Sequence, residues 1–272
     1  MYIFFNLHFN FTSFLSNLFI NAKKNNMNFN RLMKSNNPMI KEEVVTHSSP
    51  ITRGDGAMTL QGTVNKCFAL FGILLAVGAF SYMNPNRMFI MGGFIAGFVI
   101  SLIASRSPEK SNIWAPIFAA CYGLALGSLS AMYAAAYNGI IFHAVTITLS
   151  IFFSMLFLYK TGIITVTDKF RSIIMTLTGG IMILYLVSFG MSMFGFDMPF
   201  LHDQSMIGIG ISLVIAGVAS LKLLVDFDNV DRGVNAGAPN YVGWSVAMGL
   251  LFTMVWLYTE ILYLVSAFMG SD

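Results

Sequence analysis

Charged residues are scarce in this chain of 272 residues. Only 10% of its positions are Asp, Glu, Lys or Arg, whereas a soluble domain carries about 25%. So few charges are too few to cover the surface of a water-soluble globule. The two cysteines exclude a disulfide-rich scaffold, and a net charge of +3 is too small to indicate nucleic-acid binding.

Apolar residues dominate instead, with 56% hydrophobic residues and a mean hydropathy of +0.72. Crossing a bilayer core takes about 20 helical residues, and seven apolar stretches reach or approach that length. They lie at residues 67–82, 88–105, 113–136, 139–159, 172–194, 205–225 and 241–269. The connectors are short and carry Asn, Gly and Pro. We therefore predict an all-α polytopic membrane protein, in which residues 61–272 form one seven-helix transmembrane bundle in the lipid bilayer.

The basic residues are distributed unevenly between the two sides of these spans. If the N-terminal tail is placed inside, 14 of the 15 Lys and Arg residues fall on that side, and only Arg87 falls outside. Because Lys and Arg concentrate in cytoplasmic loops, this pattern predicts a cytoplasmic N-terminus and an external C-terminus.

Residues 1–60 differ in composition from the rest and are predicted to be a poorly ordered cytoplasmic tail. The Phe-rich beginning is interrupted by Asn residues and has no basic residue before it, which disfavours a secretory signal. The preferred interpretation is a wrongly assigned start, with the natural beginning near Met33 and residues 1–32 upstream of it.

Two acidic residues lie within or at the end of apolar spans. An ionised side chain at mid-bilayer costs roughly 2.5–3.5 kcal/mol, so each needs an explanation. Glu260 is either a functional ion or proton site or a neutral carboxyl that bonds to backbone. Asp226 ends the sixth span and can pair with Lys222 one turn earlier. In the alternative, Lys222 extends to the interface and Asp226 lies in water with Asp228 and Asp231.

Other chemistry has little support in the sequence. Both cysteines lie in apolar spans without metal-type neighbours, and no phosphate-binding Gly loop is present. Ser128 and His143 are only a weak match to an intramembrane protease. We therefore expect no enzymatic activity, no cofactor and no ATP-driven pump. Small residues four apart, as at Gly123 and Gly127, indicate close helix packing.

Four short motifs give the chain a recognisable resemblance. They are AMTLQGTVNK at 57–66, YKTGII at 159–164, LVDFD at 224–228 and WLYTE at 256–260. With these motifs the chain resembles the Bax inhibitor-1 family of transmembrane Bax-inhibitor-motif or YccA-like proteins, from about Ser35 to Met269, and is most similar to the bacterial branch. Tyr122 stands where that family often has an acid.

The resemblance implies a function and a site. It implies a seven-helix, pH-sensitive calcium (cation) leak channel in a bacterial inner membrane. Its sensor and transient calcium ligands would be an acidic pair, Asp226 and Glu260, with Lys222 and Asp228 as possible charge partners. The alternative is a regulator without transport activity that binds a membrane-bound protease or another membrane protein, in which the N-terminal tail carries the activity.

The pairing has a plausible physical basis. Two carboxyl groups in a low dielectric titrate as a pair, and their deprotonated oxygens suit calcium. Direct contact faces a geometric obstacle, however, because Glu260 lies 16 residues beyond Trp244, about 24 Å along a helix. Contact requires the seventh helix to begin well outside the hydrocarbon or the sixth to break early. Otherwise Glu260 acts alone or with another partner.

Overall fold

The computed structural model describes residues 56–193 and 205–270, and the predicted tail up to residue 55 lies outside this part of the chain. The described residues form seven helices, each long and apolar enough to cross a membrane. They are α1 (Leu60–Met83), α2 (Arg87–Arg106), α3 (Ser111–Ala136), α4 (Ile140–Lys160), α5 (Asp168–Met193), α6 (Met206–Asn235) and α7 (Asn240–Met269). The predicted all-α, seven-helix architecture is confirmed.

Local sequence signals explain where several helices begin and turn. Thr59, Asn86 and Ser205 precede α1, α2 and α6, and each side chain accepts a hydrogen bond from a first-turn backbone N–H. Gly139, before α4, and Gly237, between α6 and α7, have φ of +77° and +63°. Only glycine adopts these left-handed conformations at little cost, so both connectors can stay short.

Helix α7 is the central helix of the bundle. It packs against α1, α3, α4 and α6, and 72% of the residues in its most apolar 18-residue segment are buried. Helix α5 is the least buried, with only 11% of the residues in the corresponding segment buried, and it packs mainly against α6. Most of α7 therefore faces protein, including Glu260, which is 1% exposed.

Helices α1, α2 and α3 are held together by close backbone contact. A Cβ atom added to Gly127 would lie 2.1 Å from the carbonyl oxygen of Gly78, and one at Gly123 would lie 2.7 Å from that of Leu74. On the other side of α3, a Cβ at Gly93 would lie 2.5 Å from the Cys121 carbonyl oxygen. The small residues therefore allow the tight packing that the sequence indicated.

One end of the bundle, called here the basic end, contains the starts of α1, α3 and α7. Ala57 forms an isolated antiparallel bridge with Pro239. The Lys66 ammonium donates to the backbone and side-chain oxygens of Asn240, at 2.7 and 2.5 Å. The Ser111 and Ser245 hydroxyls are 2.7 Å apart. These contacts fix the beginning of α7 relative to α1 and α3.

The sixth helix is longer than the sequence predicted. The predicted span ends at residue 225, whereas α6 continues to Asn235. Its last turns carry Asp228 and Arg232, which form an ion pair one turn apart and are compatible with a helix that emerges from the apolar region. As a result, Asp226 lies inside α6 and does not terminate it.

Candidate functional site

Asp226 lies in the interface between α6 and α7, with only 3% of its surface exposed. The Lys222 ammonium, one turn earlier on α6, donates to Asp226 Oδ1 and forms an ion pair with it. The hydroxyl of Thr253 on α7 donates to Oδ2 at 2.5 Å. Both carboxylate oxygens therefore have a donor, one from each helix.

Glu260 is still more deeply buried, at 1% exposure. The hydroxyl of Tyr185, on α5, donates a hydrogen bond to Glu260 Oε1. The Trp256 side chain, one turn earlier on α7, lies beside the same hydroxyl, and Tyr133 of α3 is close enough for an electrostatic interaction with Glu260. Glu260 thus connects the central helix to the peripheral α5.

The structure does not bring the two predicted carboxylates into one pair. Asp226 lies at the level of Thr253, and Glu260 follows Thr253 by seven residues, about 10 Å of helical rise. The sixth helix does not break early, because α6 continues to Asn235, and α7 begins at Asn240, beside the other helix starts of the basic end. The two carboxylates therefore occupy two depths, each with its own partners.

Asp228, predicted as a possible charge partner, belongs to a separate cluster nearer the basic end. Its Oδ2 atom pairs with the guanidinium groups of Arg171 on α5 and Arg232 on α6. Arg171 also donates to the side-chain oxygen of Asn229 at 2.6 Å. In the same region, the Tyr159 hydroxyl of α4 donates to Asp231 at 2.7 Å. This cluster joins α4, α5 and α6 at their ends.

The sequence analysis missed several partners of the acidic residues, among them Arg171, Tyr185 and Thr253. A signal for Thr253 was present, because it precedes Glu260 by two helical turns on the same face of α7. No comparable local signal existed for Tyr185, which lies 75 residues from Glu260. Such long-range partners depend on how separate helices are rotated against each other.

Comparison with known proteins identifies the family. A sequence model described as Bax inhibitor 1 like matches residues 16–270, which include all seven helices and both buried carboxylates. The chain belongs to the Bax inhibitor 1-like family. No curated protein and no solved structure matches it. The family resemblance is confirmed, while the bacterial branch stays a prediction.

The donor set of this Bax inhibitor 1-like protein bears on its relation to cations. Within residues 56–193 and 205–270, no group of three or more His, Cys, Asp or Glu residues is placed to hold a metal ion. Calcium takes 6–8 oxygen ligands, whereas Asp226 and Glu260 each offer one carboxylate already bonded to protein donors.

Proposed function

We propose that this protein is a pH-sensitive cation leak, with calcium as the transported ion and Asp226 and Glu260 as sensor and transient ligands. We further propose that it resides in a bacterial inner membrane, with its N-terminus in the cytoplasm, and that it has no enzymatic activity. The observation that carries the proposal is the burial of two carboxylates at two depths of the seven-helix bundle.

Their burial is costly, which favours a functional role. Each charged side chain in the hydrocarbon costs roughly 2.5–3.5 kcal/mol on insertion scales, and Lys222 adds a third ionisable group. A bundle selected for stability alone is expected to have apolar residues at these positions, because replacing a buried ion pair by hydrophobic residues is often neutral or stabilising. Retained intramembrane acids are typical of ion and proton pathways.

The contacts suggest how such a leak would be closed. In the described arrangement, Lys222 and Thr253 bind the oxygens of Asp226, and Tyr185 binds Glu260. A cation can use these oxygens only after the protein donors move away. Protonation works against conduction as well, because a neutral carboxyl is a poor ligand for calcium. We therefore expect the leak to increase as the pH rises.

Calcium flux into liposomes that contain the purified protein tests this function between pH 5 and pH 8. Wild type is expected to conduct more at pH 8 than at pH 5. The variants Asp226→Asn and Glu260→Gln should lose most of this pH dependence, because each removes one titrating oxygen ligand. Glu109→Gln is the matched control, since it removes an exposed carboxylate between α2 and α3 and should behave as wild type.

Flux that is the same in all four proteins, or that does not change with pH, would refute the proposed gating. If wild type conducts no calcium at any pH, the leak itself is refuted and the regulator becomes the better hypothesis. Deletion of residues 1–55 then tests that hypothesis, because only a regulator that acts through its tail should lose binding to its membrane partner.

A further inference from the structure

Helix α5 carries a line of polar side chains toward the rest of the bundle. Arg171, Thr178 and Tyr185 are spaced seven residues apart, so they lie along one face and span about 21 Å of the helix. Arg171 binds Asp228 of α6 near the basic end, and Tyr185 binds Glu260 of α7 deeper in the bundle. The line therefore follows the interface of α5 with α6 and α7, called here the α5 seam.

Thr178 is the unusual member of this line. It is 3% exposed, and its hydroxyl has no hydrogen-bond partner among the residues that the structure describes. Buried helical hydroxyls normally bond to a carbonyl of the preceding turn. The buried Thr148 of α4 does so with Ala144 at 2.7 Å, and even the exposed Thr176 of α5 bonds to Ser172 at 2.9 Å. The Thr178 hydroxyl is therefore available to a ligand in the seam.

The position of Thr178 along the axis of α5 places it near the level of the charged groups of α6. The two helices run antiparallel, with Arg171 beside Asp228. Two turns along α5, Thr178 reaches the level of Lys222, which lies a similar rise back along α6. On this rise, Thr178 lies between the level of Asp228, near the basic end, and that of Glu260, deeper in the bundle.

The packing of α5 would allow this seam to open. The helix is the least buried of the seven described, whereas α1, α2 and α3 are in backbone contact through glycines. Two of the contacts between α5 and its neighbours are polar interactions, at Arg171 and Tyr185, which water and ions can replace. Separation along α5 therefore disrupts less close packing than separation anywhere among α1, α2 and α3.

We propose that cations cross this protein along the α5 seam and that the Thr178 hydroxyl is an oxygen ligand midway, for the ion or for its bound water. This assignment rests on the proposed leak function and specifies its route. A hydroxyl is a suitable neutral ligand for a hard cation that has lost part of its hydration shell. Thr178 would bridge the distance between the levels of Asp228 and Glu260.

Flux measurements with three variants test the role of the hydroxyl. Thr178→Val keeps the shape and removes the oxygen, and it should lower the calcium flux about tenfold, as expected for the loss of one well-placed ligand. Thr178→Ser should retain the flux. Thr176→Val is the matched control, because that exposed hydroxyl bonds to its own helix and should be dispensable. Equal flux in Thr178→Val and wild type would refute the role of Thr178.

Cysteine accessibility tests the route without measuring transport. In a background with Cys67→Ala and Cys121→Ala, Thr178→Cys is treated in proteoliposomes with a charged, water-soluble thiosulfonate, and labelling is followed by mass spectrometry. Leu177→Cys is the control, because the adjacent residue is 46% exposed on the lipid-facing side. The seam predicts labelling at position 178 and none at 177.

The two proposals fail in different ways. If flux depends on Asp226 and Glu260 while Thr178→Cys stays unlabelled, the leak stands and the route along α5 is wrong. If wild type conducts nothing but Thr178→Cys is labelled, the leak and the cation route are both refuted, and the seam is shown only to admit a charged, water-soluble reagent. Equal labelling at positions 177 and 178 would overturn the assignment of the seam.

Discussion

The ion pair between Lys222 and Asp226 gives the most quantitative prediction. Lys222→Met removes the ammonium and keeps most of the side-chain volume. The side chains are 13% and 4% exposed, so the variant leaves an acid in the bundle without its cation. Breaking a buried pair in this way costs about 3–5 kcal/mol. The remaining bond from Thr253 to Asp226 favours the low end of this range, about 3 kcal/mol, or about a hundredfold in the unfolding equilibrium.

Unfolding of the purified protein in mixed micelles, followed by its helical circular dichroism, measures this loss. The double variant Lys222→Met with Asp226→Asn should be more stable than Lys222→Met alone at pH 8, since it contains no uncompensated charge. Lys110→Met, at an exposed position, is the control and should change stability by less than about 0.5 kcal/mol.

A loss below about 1 kcal/mol would refute this reasoning. It would mean that water reaches both side chains and that the pair is only a surface ion pair. The structural basis for an intramembrane sensor at Asp226 would then be removed as well.

Two further predictions use the same unfolding assay. Gly127→Ala should destabilise the protein by about 1–3 kcal/mol, because its Cβ would lie 2.1 Å from the Gly78 carbonyl oxygen. Gly72→Ala is the control and should be neutral or stabilising, because no atom lies within 4 Å of the added Cβ. Equal effects of the two substitutions would contradict the close contact of α1 and α3. Tyr185→Phe should cost about 1–3 kcal/mol, because it removes the donor to Glu260. Tyr82→Phe, at a residue that is 44% exposed, should cost less than about 0.5 kcal/mol. No difference between the two tyrosine variants would contradict the bond between α5 and α7.

The sequence was sufficient for the parts of the site that are local. Lys222 and Asp226 are one turn apart on the same helix, so their proximity follows from helical periodicity. The acids themselves could be recognised because an ionisable residue in an apolar stretch is rare. The length of α6 was underestimated, because hydropathy ends at the apolar boundary while the hydrogen-bonded helix continues through Asp228 and Arg232 to Asn235.

The long-range partners could not be predicted in the same way. Glu260 meets Tyr185 and Asp226 meets Thr253 across helix interfaces, and each contact requires a particular rotation and axial shift of two helices. A small change in the rotation of one helix, or an axial shift of a few ångströms, would exchange these partners for others. The Thr178 hydroxyl, which has no hydrogen-bond partner within residues 56–193 and 205–270, could not be recognised for the same reason. Thr176 and Thr178 look equivalent in the sequence but differ in what surrounds them.

The sequence by itself determined that this chain is a seven-helix membrane protein of the Bax inhibitor 1-like family, because bilayer thickness and the need to satisfy every backbone group translate directly into apolar stretches. Only the tertiary structure decided that Asp226 and Glu260 lie at separate depths with separate donors. The physical reason is that hydropathy specifies which segments enter the membrane, while side-chain packing between helices specifies their rotation and register, and therefore which polar groups meet.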